Sequence, residues 1–206
     1  MKEIGYEHNG PGALQAPWVI RATSKIAWKT VAGIVSATAL VAVCAHIAVP
    51  LGFTPVPVTM QTFAVLLLGL LFAPGPAFAC LSLYLMEGAI GLPVFSPHGP
   101  GGLAQLLGPS GGYLLAYPFA AALASWLYRR SRRGFLAAAG GAGLASLLIL
   151  AAGAIWLGLI SHATLPVVFL HSIAPFLPGD AVKVLAATAC VSMLSSFSEP
   201  SGDGTI

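Results

Sequence analysis

The chain has 206 residues, 57% of them hydrophobic and only 7% charged, with a mean hydropathy of +0.89. That much apolar surface excludes a soluble domain and predicts an integral membrane protein, because roughly 20 apolar residues cross a bilayer and the chain holds several such runs. A formal charge of +3 is too small and too localised to argue for a nucleic-acid partner.

Residues 1–24 are polar and contain Asn9-Gly10-Pro11-Gly12. They read as a flexible cytoplasmic tail, since the apolar run that follows is too long for a signal h-region. Six spans follow in chain order. The first covers 26–49 and stops at Pro50; the second covers 59–72 and stops at Ala73-Pro74-Gly75-Pro76. The third covers 77–90 and ends before Gly91-Leu92-Pro93. The fourth covers 112–128 and ends at Arg129-Arg130-Ser131-Arg132-Arg133; the fifth covers 135–160. Residues 161–178 read as a loop, with a short interfacial helix admissible at 167–173. The sixth span covers 179–197, and 199–206 form a C-terminal tail. Spans two and three are short for a full crossing, and Pro57, Pro74 and Pro76 suggest tilted or partly irregular helices there.

Lysine and arginine in the short loops orient the spans. Lys2, Arg21, Lys25 and Lys29 lie in the N-terminal flank, and four arginines lie between the fourth and fifth spans. Six spans with both termini cytoplasmic place all of these inside. The expected fold is therefore an all-α integral membrane protein of six transmembrane helices, its membrane domain covering 25–198, in the cytoplasmic membrane and in contact with lipid.

This topology gathers the embedded polar residues at the outer face. Asp180 and Lys183 open the sixth span, three residues apart and so on one helix face. Charges there are costly and mark a functional site by default. A structural ion pair is the competing reading, although such a pair contributes little net stability. Gln61 lies near the outer end of span two, with an amide that both donates and accepts. Glu87 lies near the outer end of span three. It is either a ligand contact or a protonated group bonded to backbone. The Gly-rich loop 91–112 is either a lid or a solvated connector, and loops of this length are more often functional.

No catalytic or cofactor motif accompanies these residues. Cys44, Cys80 and Cys190 lie singly in apolar runs, and His46, His98, His162 and His171 lack ligand spacing. A Ser/His protease would need its serine paired with a histidine deep in the membrane, and Ser110 lies in an outer loop, so an enzyme is not expected. No P-loop sequence is present. In span one, Ala32/Ser36 and Gly33/Ala37 form a small-residue face suited to close helix packing, within the chain or against another subunit.

Three ordered motifs then carry a family resemblance over roughly residues 26–197. Val56-Pro57-Val58-Thr59-Met60-Gln61-Thr62 is the first, and Pro175-Phe176-Leu177-Pro178-Gly179-Asp180-Ala181-Val182-Lys183 the third. The second is Gly88-Ala89-Ile90-Gly91-Leu92-Pro93-Val94-Phe95 followed by Gly108-Pro109-Ser110-Gly111-Gly112-Tyr113. Together they resemble BioY, the biotin-capture (S) subunit of energy-coupling factor (ECF) transporters. The resemblance implies a six-helix protein that binds biotin from outside and works with a transmembrane coupling subunit and a pair of cytoplasmic ATPases. It implies that Asp180 accepts from the ureido N–H groups, that Lys183 pairs with the valerate carboxylate and that Gln61 adds a polar contact. Phe95 and Ser96 belong to a closing loop, Tyr113 to the site, and Ala32, Gly33, Ser36 and Ala37 to the coupling-subunit face. The alternative reading is a solitary ion-coupled carrier for biotin or a biotin-like vitamin, with Glu87 as its proton-coupling acid.

Overall fold

The computed structural model describes residues 17–132 and 134–198, with side chains placed from residue 31 to residue 196 except 133. The chain divides into two units, Met1–Val35 and Ser36–Ile206. In the first, the described residues are helical from Pro17, so the helix starts before the span expected at 26. The tail segments 1–16 and 199–206 lie outside the described residues.

The second unit opens with the rest of α1 (Pro17–His46). Here Ala37, Val41 and Cys44 are buried at helical spacing, which turns one stripe toward the core. A two-residue strand, β1 (Ala48–Val49), pairs antiparallel with β2 (Val58–Thr59), Ala48 opposite Thr59. Ala48 and Val49 fall at the end of the first expected span and Thr59 at the start of the second, so those span ends are strand and not helix. Met60 N–H extends the ribbon by donating to Ile47 O at 3.0 Å.

Seven helices follow: α2 (Gln61–Leu71), α3 (Pro74–Ala89), α4 (Gly102–Leu107), α5 (Gly111–Arg130), α6 (Phe135–Ser161), α7 (Leu165–Ser172) and α8 (Leu177–Ser198). Five of the six expected spans correspond to α2, α3, α5, α6 and α8, and α7 takes the place of the admissible interfacial helix. The loop expected at 91–112 is not irregular throughout, because it contains α4. Pro74 and Pro76 fall in the first turn of α3, where their missing N–H groups forfeit no helical bond.

Among the described residues, two helices, α6 and α8, are long and apolar enough to cross a membrane. With 11 residues, α2 extends roughly 16 Å, well short of a bilayer core of about 30 Å. Its last carbonyls are met from α5: Ser125 Oγ donates to Phe72 O at 2.5 Å, and Arg129 Nη2 to Leu71 O at 3.1 Å. In the helix order of the packed unit, α5 is central and touches α2, α3 and α6, while α8 packs on α2 and α6. Small residues allow the approach of α5 to α6. A Cβ on Gly153 would sit 2.3 Å from the Tyr113 ring.

Candidate functional site

α8 begins where the chain turns at Phe176, whose carbonyl accepts from Asp180 N–H at 2.8 Å. This places Asp180 in the first helical turn and Lys183 one turn on, both facing inward and about 95% buried. Lys183 Nζ donates to Asp180 Oδ1 at 2.9 Å. Ser146 of α6 donates to the other oxygen, Oδ2, at 3.1 Å. The carboxylate is thus charge-balanced and its orientation fixed from two helices. Lys183 retains two further donor hydrogens, since an ammonium carries three.

Around this pair lies a cavity of about 520 Å³, its mouth included. Leu114, Ile149, Leu150 and Phe176 supply apolar wall, and Thr59, Gln61, Gln105 and Tyr117 add polar groups. Gln61 is held from both sides of its amide. Its Oε1 accepts from Thr59 Oγ1 at 3.1 Å, and its Nε2 donates to Tyr84 Oη at 2.6 Å. Tyr84 then donates to Val94 O at 2.8 Å, linking the cavity wall to the loop after α3. On α5, Tyr113 lines the cavity and donates to Ser172 O at 2.7 Å. Gln105 of α4 fastens that loop through Gly101 N–H at 3.1 Å and Ser96 O at 3.4 Å.

Of the residues singled out by sequence, Asp180, Lys183, Gln61, Ser96 and Tyr113 meet in this cavity. Phe95 does not line it. Its ring is buried edge-on to Tyr84, with centroids 5.5 Å apart, in a notch opened by Gly88. A Cβ on Gly88 would sit 2.1 Å from Phe95 Cζ. Glu87 is half-buried and also absent from the lining. Tyr84 and Gly88, four residues apart, take the inward face of α3 and leave Glu87 about 100° round the helix. On α1, Ala32, Gly33 and Ser36 are exposed, whereas Ala37 is buried in the core. Ala37 therefore belongs to internal packing and not to an open small-residue face. Sequence reasoning missed Ser146, Thr62, Gln105 and Tyr117. Lone hydroxyls and amides in apolar runs carry no pattern of their own.

Fold and site define a helical membrane protein with an internal cavity, its wall part apolar and part polar and carrying one buried, charge-balanced pair. Residues 20–199 match the model of the BioY family, and the chain belongs to that family. A probable biotin transporter BioY of Pyrococcus horikoshii is 37% identical over 74% of this chain and 86% of the relative. The biotin transporter BioY2 of Lactococcus lactis is 33% identical over 73% of this chain and 81% of the relative. A crystal structure described as the S-component for biotin from an ECF-type ABC transporter superposes with a TM-score of 0.76 at 27% identity, covering 84% of this chain and 93% of that one. A transporter family implies a non-enzymatic role.

Proposed function

We propose that this chain is the biotin-capturing S component of an ECF-type vitamin transporter. The observation that carries the assignment is the Asp180–Lys183 pair, which sets a buried acceptor and a buried donor 2.9 Å apart. A cyclic urea carries N–H donors directly beside a carbonyl acceptor. Asp180 takes the ureido N–H, and Lys183 gives one of its remaining hydrogens to the ureido oxygen. Charge-assisted hydrogen bonds of this kind are the strong ones. This division differs from the one the resemblance implies, in which Lys183 meets the valerate carboxylate. Gln61 and Tyr113 shape the cavity around the bicyclic ring.

The chain crosses the membrane six times with both termini inside, as the arginines at 129–133 and the basic residues Lys2, Arg21, Lys25 and Lys29 at the N-terminal end favour. The cavity then faces outward, and the segment 91–110, with Ser96 and α4, closes it. Release inside follows reorientation of the subunit by a transmembrane coupling protein and its ATPases, docked along the exposed small residues Ala32, Gly33 and Ser36. The solitary-carrier alternative is not favoured, because Glu87 lines no part of the cavity.

Calorimetry on the detergent-purified protein tests the reading. Tight biotin binding that is lost in Asp180→Asn and in Lys183→Ala is the expected result. Absence of binding by the unaltered chain removes the assignment.

A further inference from the structure

α5 and α6 touch backbone to backbone at two levels. A Cβ on Gly112 would sit 2.6 Å from Ala152 O, and one on Gly141 would sit 3.1 Å from Ala124 O. Between these contacts a groove opens on the flank of the helix pair. Ala116 and Ala152 form its floor, and Phe119, Leu148 and Ile155 stand exposed along its rim. Its lining side chains are apolar except for the indole N–H of Trp156. That group is already engaged, donating to Gly108 O at 2.9 Å.

An apolar groove beside a membrane-crossing helix does not stay empty. Water needs polar partners to occupy such a site, and the lining has none free. A void would forfeit the dispersion contacts of every atom around it. An acyl chain and an apolar helix of another protein both have matching chemistry, and length decides between them. From Leu148 to Leu159 the groove follows about three turns of α6, roughly 16 Å. That is about one leaflet of a hydrocarbon core of about 30 Å. At Gly141 the two helices have closed again, so the groove ends blind within the membrane. A crossing helix would leave half its length unseated, whereas a chain from one leaflet lies in the groove from end to end. Neither 88–128 nor 134–179 contains Asp, Glu, Lys or Arg, so the flanking segments carry no charge with which to select a headgroup.

The other end of the groove adjoins the solute cavity. Gly108 O accepts from Gly111 N–H at 3.0 Å as well as from Trp156, closing the turn that carries Ser110 onto the cavity wall. A chain lying on the indole holds the ring where that second bond is made. We infer that the α5–α6 groove binds one acyl chain of a phospholipid from the leaflet on the cavity's side, and that this chain braces Trp156 and the joint between α4 and α5. The site reads the chain and not the headgroup, and it does not depend on which solute the cavity takes.

Replacing Trp18, Trp28 and Trp126 by phenylalanine leaves Trp156 as the sole indole reporter. Titrated in detergent with phosphatidylcholine brominated along its chains, this protein should show a saturable phase of fluorescence quenching. Unbrominated phosphatidylcholine and phosphatidylglycerol should reverse it alike. A companion protein that keeps only Trp126, toward the far end of α5, should be quenched only in proportion to the lipid in the micelle. Ala152→Leu and Leu148→Phe each crowd the groove and should raise the midpoint of the saturable phase about tenfold or more. They are made singly, so that a folding defect in one leaves the other to decide. Added phosphatidylcholine should also slow hydrogen exchange at the Gly111 amide about threefold or more. Quenching of Trp156 that does not saturate, or that saturates unchanged in both crowded variants, overturns the site. Reversal by one headgroup only overturns recognition through the chain, and unchanged exchange at Gly111 overturns the brace.

Discussion

Replacing Asp180 by asparagine removes one charge while keeping shape, and it separates stability from recognition. At 2.9 Å and an effective dielectric constant of about 20, the Asp180–Lys183 attraction is about 6 kcal/mol. Most of that is offset by the cost of taking both groups out of water, so the intact pair contributes little net stability. The single substitution is different, because it strands a buried ammonium that is 6% exposed. The expected loss is about 3–5 kcal/mol. Adding Lys183→Met removes the stranded charge and should restore most of that loss, since replacement of a buried pair by apolar groups is often neutral. Biotin binding should stay absent in the double variant, because the ammonium donor is gone and the carboxylate acceptor is reduced to a neutral amide oxygen. Unfolding in detergent followed by far-ultraviolet circular dichroism, beside calorimetry, reads the two quantities. An Asp180→Asn protein as stable as the original, or a double variant less stable than the single one, refutes the reasoning.

Three further outcomes follow from the loop and its seat. Gly88→Ala pushes a methyl into the Phe95 ring, so it should cost about 1–3 kcal/mol and speed biotin dissociation measured by rapid dilution. Tyr84→Phe keeps the ring contact with Phe95 but leaves Gln61 Nε2 and Val94 O unpaired; a loss of about 1–3 kcal/mol and faster hydrogen exchange in the segment 92–99 are expected. Glu87→Gln should change biotin affinity less than about twofold, and uptake by cells expressing it with its partners should persist. Abolished uptake in that variant would revive a proton-coupling role for Glu87.

The helices that were easiest to read were those whose apolar runs are long and cleanly bounded. α6 lies close to the expected 135–160, because the arginines before it and Ser161-His162 after it interrupt a single apolar run. α4 escaped because its six residues lie between Gly-Pro clusters, which mark a loop more strongly than Leu103, Leu106 and Leu107 mark a helix. Pro74-Gly75-Pro76 was expected as a stop, yet the same residues start α3, since proline is as well suited to a first turn as to a break. At the site, Asp180 and Lys183 stood out by charge and Gln61 by its motif. Ser146, which fixes the second oxygen of Asp180, did not, because a serine in an apolar span looks like packing until the helix opposite is placed. Phe95 and Glu87 show the converse. Both lie in or beside a conspicuous motif, but one fills a notch in α3 and the other is turned aside by a single residue of helical phase.

Arg129 belongs to the basic cluster from which the orientation in the bilayer is inferred. It also reaches back across the packed unit to the spent end of α2, where Nη2 meets Leu71 O and Nε lies 3.3 Å from Phe72 O. If the proposed orientation holds, one side chain serves as an address mark during insertion and as a fastener once folding is complete. The two duties come due at different moments in the life of the chain. A charge-swapping experiment that removes Arg129 to invert the protein would confuse a misdirected chain with an unfastened one. Arg130 and Arg132 are the residues to move, and Arg129 is the one to leave in place.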